Sequence, residues 1–231
     1  MATKNKVYKL EFGGDIKRFE FIGAGATAYA YRIEGDLSQV YVFIPDIKFR
    51  DGASMEDTTK DTLAKAKLAN PLNPYLPNVV KIGREFVTGH ELNRMCKIYT
   101  MPFYRNIKKS EKKQWLEVKK LQKIRDDGMK EVFAVLKKKY KVKPSMTFIG
   151  VQAAMRSCLL AKEKVNVLLY AALKTLYQYI DKSNPGVTFE FNKNNVGIDP
   201  RDGHLVLRDP LYDSAITSAV HKERRELKQN A

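Results

Sequence analysis

The chain has 231 residues, a formal charge of +16 at neutral pH, 44% apolar residues and only two cysteines. That length can bury a full core as one large domain or two small lobes, and Cys96 and Cys158, without metal-type spacing, exclude a disulfide framework and a zinc finger and suit free buried thiols in a reducing compartment. MATKNKVYKL lacks the apolar run of a signal peptide and nothing approaches a membrane span, so a soluble cytoplasmic protein is expected.

The first part reads as strands over Val7 to Phe12, Arg18 to Gly23, Thr27 to Ile33 and Gln39 to Ile44, because β-branched and aromatic residues alternate between turns at GGD, GAG and EGDLS. Ser54 followed by Asp57 has the look of a capping box, predicting a helix from there to about Ala69, where NPLNP stops it. Two more strands are predicted at Asn78 to Ile82 and Met95 to Met101. From Tyr104 the pattern turns helical and strongly basic. Trp115, Val118, Leu121 and Ile124, then Met129, Val132, Phe133 and Leu136, recur at helical spacing and predict two amphipathic helices with solvated basic faces. Such faces serve solubility or an acidic partner, either nucleic acid or a negatively charged protein. Lys112, Lys113, Lys119 and Lys120 are the partner-binding candidates. Val151 to Leu160 and Val165 to Ile180 follow as apolar helices, the second ended by DKSNPG, and HKERRELKQNA reads as a frayed, charged terminus.

Between them lies NNVGIDPRDGHLVLRDP. Val196 to Ile198 and His204 to Leu207 are β-rich, and the DPRDG joining them has turn chemistry, so the segment predicts a tight hairpin with Asn195 at its entrance and Asp209 at its exit. An amide oxygen and a carboxylate presented together are hard ligands of the kind magnesium on a phosphate chain takes.

A sheet with one inserted helix, a helical half and a late hairpin bearing Asn and Asp is the order of elements in the protein-kinase fold, and particular residues resemble kinase motifs. In FIGAGATAYAY, Gly23 and Gly25 resemble the start of a glycine-rich loop. In FEFNKNNVGI, Glu190 and Asn195 are spaced like the catalytic-loop Asp and Asn, and Asp209 in RDPL falls at the place of the metal-binding Asp. CKIYTMPFY, ending near Met101, resembles the strand and hinge that hold adenine. The chain resembles the early serine/threonine kinase-like proteins of short-tailed bacteriophages, in which little chain follows that Asp.

The resemblance implies an α+β, two-lobed fold, with a sheet lobe over Met1 to Met101 and a reduced helical lobe over Pro102 to Ala231. It implies ATP and magnesium as cofactors, Asn195 and Asp209 as metal ligands converging on one site, Glu190 and Lys193 as catalytic residues, and Gly23, Gly25, Ala30, Arg32 and Met101 as nucleotide contacts. A protein substrate would dock on the basic helices, in host bacterial cytoplasm if the protein is viral. The departures are specific. Ala28 replaces the third glycine, Glu190 replaces the catalytic Asp, and VYVF offers Val42 and Phe43 where kinases place a phosphate-gripping Lys. Ala28, Ala30 and Arg32 share a strand face, which makes Arg32 one substitute; Lys60, on the inserted helix, is another. Two functions are therefore expected: phosphoryl transfer from Mg-ATP to Ser or Thr of host proteins, or a catalytically silent kinase-fold inhibitor that binds an acidic host protein or nucleic acid through its basic face.

Overall fold

The computed structural model describes residues 6–48, 54–141 and 145–228. The protein is mixed α+β and divides into two compact units, one formed by Met1–Thr58, Asn78–Phe103 and Ile216–Ala231, the other by Thr59–Pro77 and Tyr104–Ala215.

The first unit is built on an antiparallel sheet of six strands: β1 (Val7–Phe12), β2 (Asp15–Ala24), β3 (Tyr29–Ile33), β4 (Gln39–Pro45), β7 (Val80–Val87) and β8 (Arg94–Pro102), in the order β1-β2-β3-β4-β8-β7. Period-two alternation sends one face inward, where Leu10, Phe19, Tyr31, Phe43, Val87, Cys96 and Ile98 form a buried core. Phe19 meets Phe43 edge-on at 6.0 Å and 89° and Tyr41 at 5.3 Å and 76°, the arrangement aromatic quadrupoles favour. The sheet curls around these rings. Its two edges join through Glu11 and Thr88, which exchange backbone hydrogen bonds of 3.1 and 3.0 Å, and bulges beside Gly23 and Gly83 add local bend. Gly89 makes the closure possible: at φ +106°, a Cβ there would lie 2.2 Å from the Lys9 carbonyl oxygen.

All six predicted strands are found in the predicted order, the one read at Asn78 to Ile82 running on to Val87, and the remaining differences have local causes. Ser54 does not cap a helix. Ser54–Met55 (β6) pairs instead with Ile47–Lys48 (β5), because Ile47 and Met55 bury themselves against Ile216, Ala219 and Val220. Those last three belong to α5 (Ser214–Lys228), so the terminus expected to fray is, as far as Lys228, a helix that closes on the sheet unit, with Glu223 paired to Arg94 at 2.9 Å; 229–231 lie outside the described residues.

The second unit holds α1 (Thr59–Ala69), α2 (Lys112–Tyr140), α3 (Met146–Ala161) and α4 (Val167–Tyr179). The inserted helix, placed in the sheet lobe by the reading, belongs here: Leu63 and Ala66 are buried, and Thr62 Oγ1 donates to the Tyr179 carbonyl at 3.5 Å. Ser145 and Asn166 cap α3 and α4 by accepting from Thr147 N and Leu169 N. The two helices expected between Trp115 and Leu136 are one. Val118, Leu121 and Ile124 are buried as predicted, and Gly128, a natural place for a break, is instead where α2 presses on α3. A Cβ there would stand 2.6 Å from Ser157 Oγ and 2.9 Å from Ser157 N. Gly128→Val is therefore expected to cost about 1–3 kcal/mol by overpacking, offset only slightly by the better helix propensity of valine, read as a lower urea midpoint with unchanged slope.

Candidate functional site

The polar cluster of the helical unit is assembled at the end of β9 (Val187–Phe189) and around the hairpin of β10 (Gly197–Ile198) and β11 (Leu205–Val206). Phe189 and Phe191 are fully buried and stack at 5.4 Å, which fixes the chain on either side of Glu190 and leaves its carboxylate half-exposed. Glu190 N donates to the Pro210 carbonyl at 2.8 Å, part of the pairing region of β9 with β12 (Leu211–Asp213).

The loop after it is wound by Asn192, whose side-chain oxygen accepts from Asn194 N at 2.8 Å and Asn195 N at 3.1 Å. This turns Asn195 back toward Glu190. Asn195 Nδ2 donates to Glu190 Oε2 at 2.8 Å and lies 3.4 Å from the Glu190 carbonyl. At the far end of the hairpin, Asp209 N donates to the Asn195 carbonyl at 2.8 Å, so the three candidates Glu190, Asn195 and Asp209 are brought together. Lys193 lies in the same loop, exposed.

Two cations complete the cluster. Lys60, in the first turn of α1, donates to Asp209 Oδ1 at 2.8 Å and to the Arg208 carbonyl at 3.3 Å, with only 5% of its side chain exposed. Arg208 braces the loop through the carbonyls of Tyr104, at 3.0 Å, and of Asn194; its burial pulls the guanidinium below its usual range. Asp209 and Asn195 are donors of the kind magnesium prefers, but the charge is not. Glu190 and Asp209 are outnumbered by Lys60, Lys193 and Arg208, and Lys60 already holds Asp209. A free divalent ion does not fit the cluster in this arrangement.

A second set of possible ligands, Asp199, Asp202 and His204, lies at the hairpin tip with ligand atoms within 4.8 Å of one another. It too is committed internally. Arg201 grips both Asp199 oxygens, at 3.0 and 2.6 Å, while the His204 ring nitrogens face Asp202 and, at 2.8 Å, the Pro74 carbonyl. Arg201 holds the buried Asp199 carboxyl down to about 2 from its ordinary 3.8. Because that value is depressed, the stabilisation is present above pH 4 and lost as pH falls toward 2. Asp199→Asn is expected to cost about 1–2 kcal/mol at pH 7, screened because Arg201 is largely exposed, and to flatten the acid limb of a stability-versus-pH curve over that window.

The sheet unit carries the other candidates. Gly23 pairs with Ala30, and Gly25 N donates to the Ala28 carbonyl at 2.8 Å, making a tight exposed turn in which neither glycine has positive φ. Met101 is buried on β8, opposite Val40. Arg32 sits directly across from Glu20 and places Nε and Nη2 on its carboxylate at 2.8 and 2.6 Å, so its guanidinium forms a cross-strand ion pair. A cavity of about 250 Å³ in this unit is lined by Thr27, Tyr29, Arg94 and Val220 among others. Sequence reasoning missed Lys97, which is buried on β8 with its ammonium 3.0 Å from Glu56 and 3.2 Å from the Asp57 carbonyl. The signal was a lysine inside the apolar run CKIYTM.

On α2, Lys112, Lys113, Lys119 and Lys120 are all exposed, and Lys123 and Lys130 extend the same ridge. Both cysteines are buried and free, and burial pushes each thiol up to about 12. No helix among the described residues is long and apolar enough to cross a membrane. Comparison with known proteins finds no family model, no curated protein and no solved structure that matches this chain.

Proposed function

We propose that this chain is a divergent, kinase-like phosphotransferase that moves the γ-phosphoryl group of ATP to serine or threonine hydroxyls of proteins. The observation that carries the reading is the joining of Glu190, Asn195 and Asp209, residues of a loop and a hairpin exit, in the order the kinase resemblance requires.

In this reading the Glu190 carboxylate accepts the hydroxyl proton as the hydroxyl oxygen bonds to the γ-phosphorus, the bond from that phosphorus to the bridging oxygen breaks, and ADP leaves. Asn195 is a positioning residue: its amide holds Glu190 Oε2 and leaves the other carboxylate oxygen to the substrate. Lys193, on the exposed side of the loop, meets the transferring phosphate. Gly23, Gly25, Ala30 and Met101 are the nucleotide contacts the resemblance assigns to the sheet unit; Arg32 is a weaker candidate, since its fork is already on Glu20.

A second reading is favoured by the lysine ridge of α2. A catalytically silent protein of this fold would use Lys112, Lys113, Lys119 and Lys120 to hold an acidic protein or nucleic acid. Radiolabelled transfer from ATP to a bacterial extract, with parent and Asp209→Asn side by side, separates the two. Labelling by the parent that Asp209→Asn loses supports the enzyme; no labelling by either, with partner capture intact, leaves the binding protein.

A further inference from the structure

We propose that Lys60 is the built-in cation of the Glu190, Asn195 and Asp209 cluster: its ammonium occupies the Asp209 carboxylate in place of a divalent ion and meets the phosphate chain itself, so that polyphosphate binds here without metal. The proposal rests on the nucleotide reading above and names the group that reads the phosphate.

Three observations carry it. First, the Lys60 side chain is 5% exposed while that of Asp209 is 43% exposed, so the ammonium sits inside and the carboxylate at the mouth. A lysine is withdrawn from water to that degree only where a fixed counter-charge holds it, and here Asp209 Oδ1 does so at 2.8 Å. Second, an ammonium has three donors, and two are placed, on Asp209 Oδ1 and the Arg208 carbonyl. Among the described residues no protein acceptor takes the third, which leaves one charge-assisted donor for an anion oxygen. Third, the surrounding charge selects for an anion. With the Arg208 charge next to Asp209 and Lys193 exposed in the loop that holds Asn195, a magnesium ion on Asp209 would face an ammonium bound to the same carboxylate, whereas a triphosphate is attracted by cations.

The test uses the full chain, titrated with ATP in EDTA and in magnesium by calorimetry, with Lys60→Met and Lys60→Gln beside the parent. Because Asp209 reaches water, loss of its partner leaves a solvated carboxylate, and both variants are expected to keep the parent's helical circular dichroism. The parent should bind ATP in EDTA within about threefold of its affinity in magnesium, and each variant should bind at least about tenfold more weakly in EDTA and recover with magnesium, as expected when one charge-assisted hydrogen bond is removed. A parent that needs magnesium for any binding, with variants indistinguishable from it, overturns the proposal. If the parent binds no ATP in either condition the nucleotide reading itself fails, and Mn²⁺ alone, followed by electron paramagnetic resonance, decides the role of Lys60. Binding of Mn²⁺ at least about tenfold tighter in Lys60→Met than in the parent shows that the lysine holds the cation's place; equal binding, or none in either, shows that it does not.

Discussion

Glu190→Gln is expected to lower phosphoryl transfer by about 10²–10⁴-fold while leaving ATP affinity within about twofold, because a general base acts on the proton in flight and contributes little to the bound ground state. Glutamine keeps the size of the side chain and still accepts from Asn195 Nδ2, so the loop should hold its shape and the loss should fall on kcat. Glu190→Asp separates two ideas of the site. Asn195 reaches Glu190 Oε2 at 2.8 Å across the length of a glutamate. Shortening the side chain withdraws the carboxylate by roughly 1.5 Å and breaks that hydrogen bond, and a displacement of about 1 Å can cost on the order of a hundredfold. The geometry therefore predicts that Asp, the residue kinases use, works worse here than Glu. Single-turnover transfer to a protein substrate measures both variants; an aspartate variant as active as the parent would mean that Asn195 does not position the base.

Reversing Lys112, Lys113, Lys119 and Lys120 to Glu together is expected to weaken association with an acidic partner about a hundredfold at low salt, on the order of 0.5–1 kcal/mol for each ion pair removed. Thermal stability should change little, since these residues are exposed and surface substitutions usually stay within about 0.5 kcal/mol each. Parent binding should fall with rising salt and the variant's should fall less steeply, because fewer counterions are released. Titrating duplex DNA and an acidic protein separately against both forms identifies which partner class the ridge serves. Transfer activity toward a small peptide that does not reach α2 should be unchanged by the reversal.

What could be read directly from the chain was whatever local periodicity and turn chemistry decide. The alternating aromatics of β1 to β4 mark strands because only a period of two places Phe19, Tyr31 and Phe43 on one face. The run from Leu169 to Leu176 marks a helix for the corresponding reason. The hairpin from Gly197 to Val206 was visible in DPRDG, where Gly203 adopts φ +76°, and it brings Asn195 and Asp209 within a backbone hydrogen bond.

Tertiary structure decided the rest. Ser54 and Asp57 have a cap's spacing, yet burial of Ile47 and Met55 against α5 turns that segment into a strand. The two helices expected between Trp115 and Leu136 run on as one, because Gly128 lets the chain pass close against Ser157 without a break. Arg32 looked free to reach a phosphate because parity reports only its strand face; Glu20, directly opposite, takes its guanidinium. Lys60 and Asp209 are 149 positions apart, and no local rule links them. Only folding decides that a buried ammonium meets that carboxylate, since the cost of withdrawing a charge from water is settled by which partner the fold supplies and not by the residues beside it in the chain.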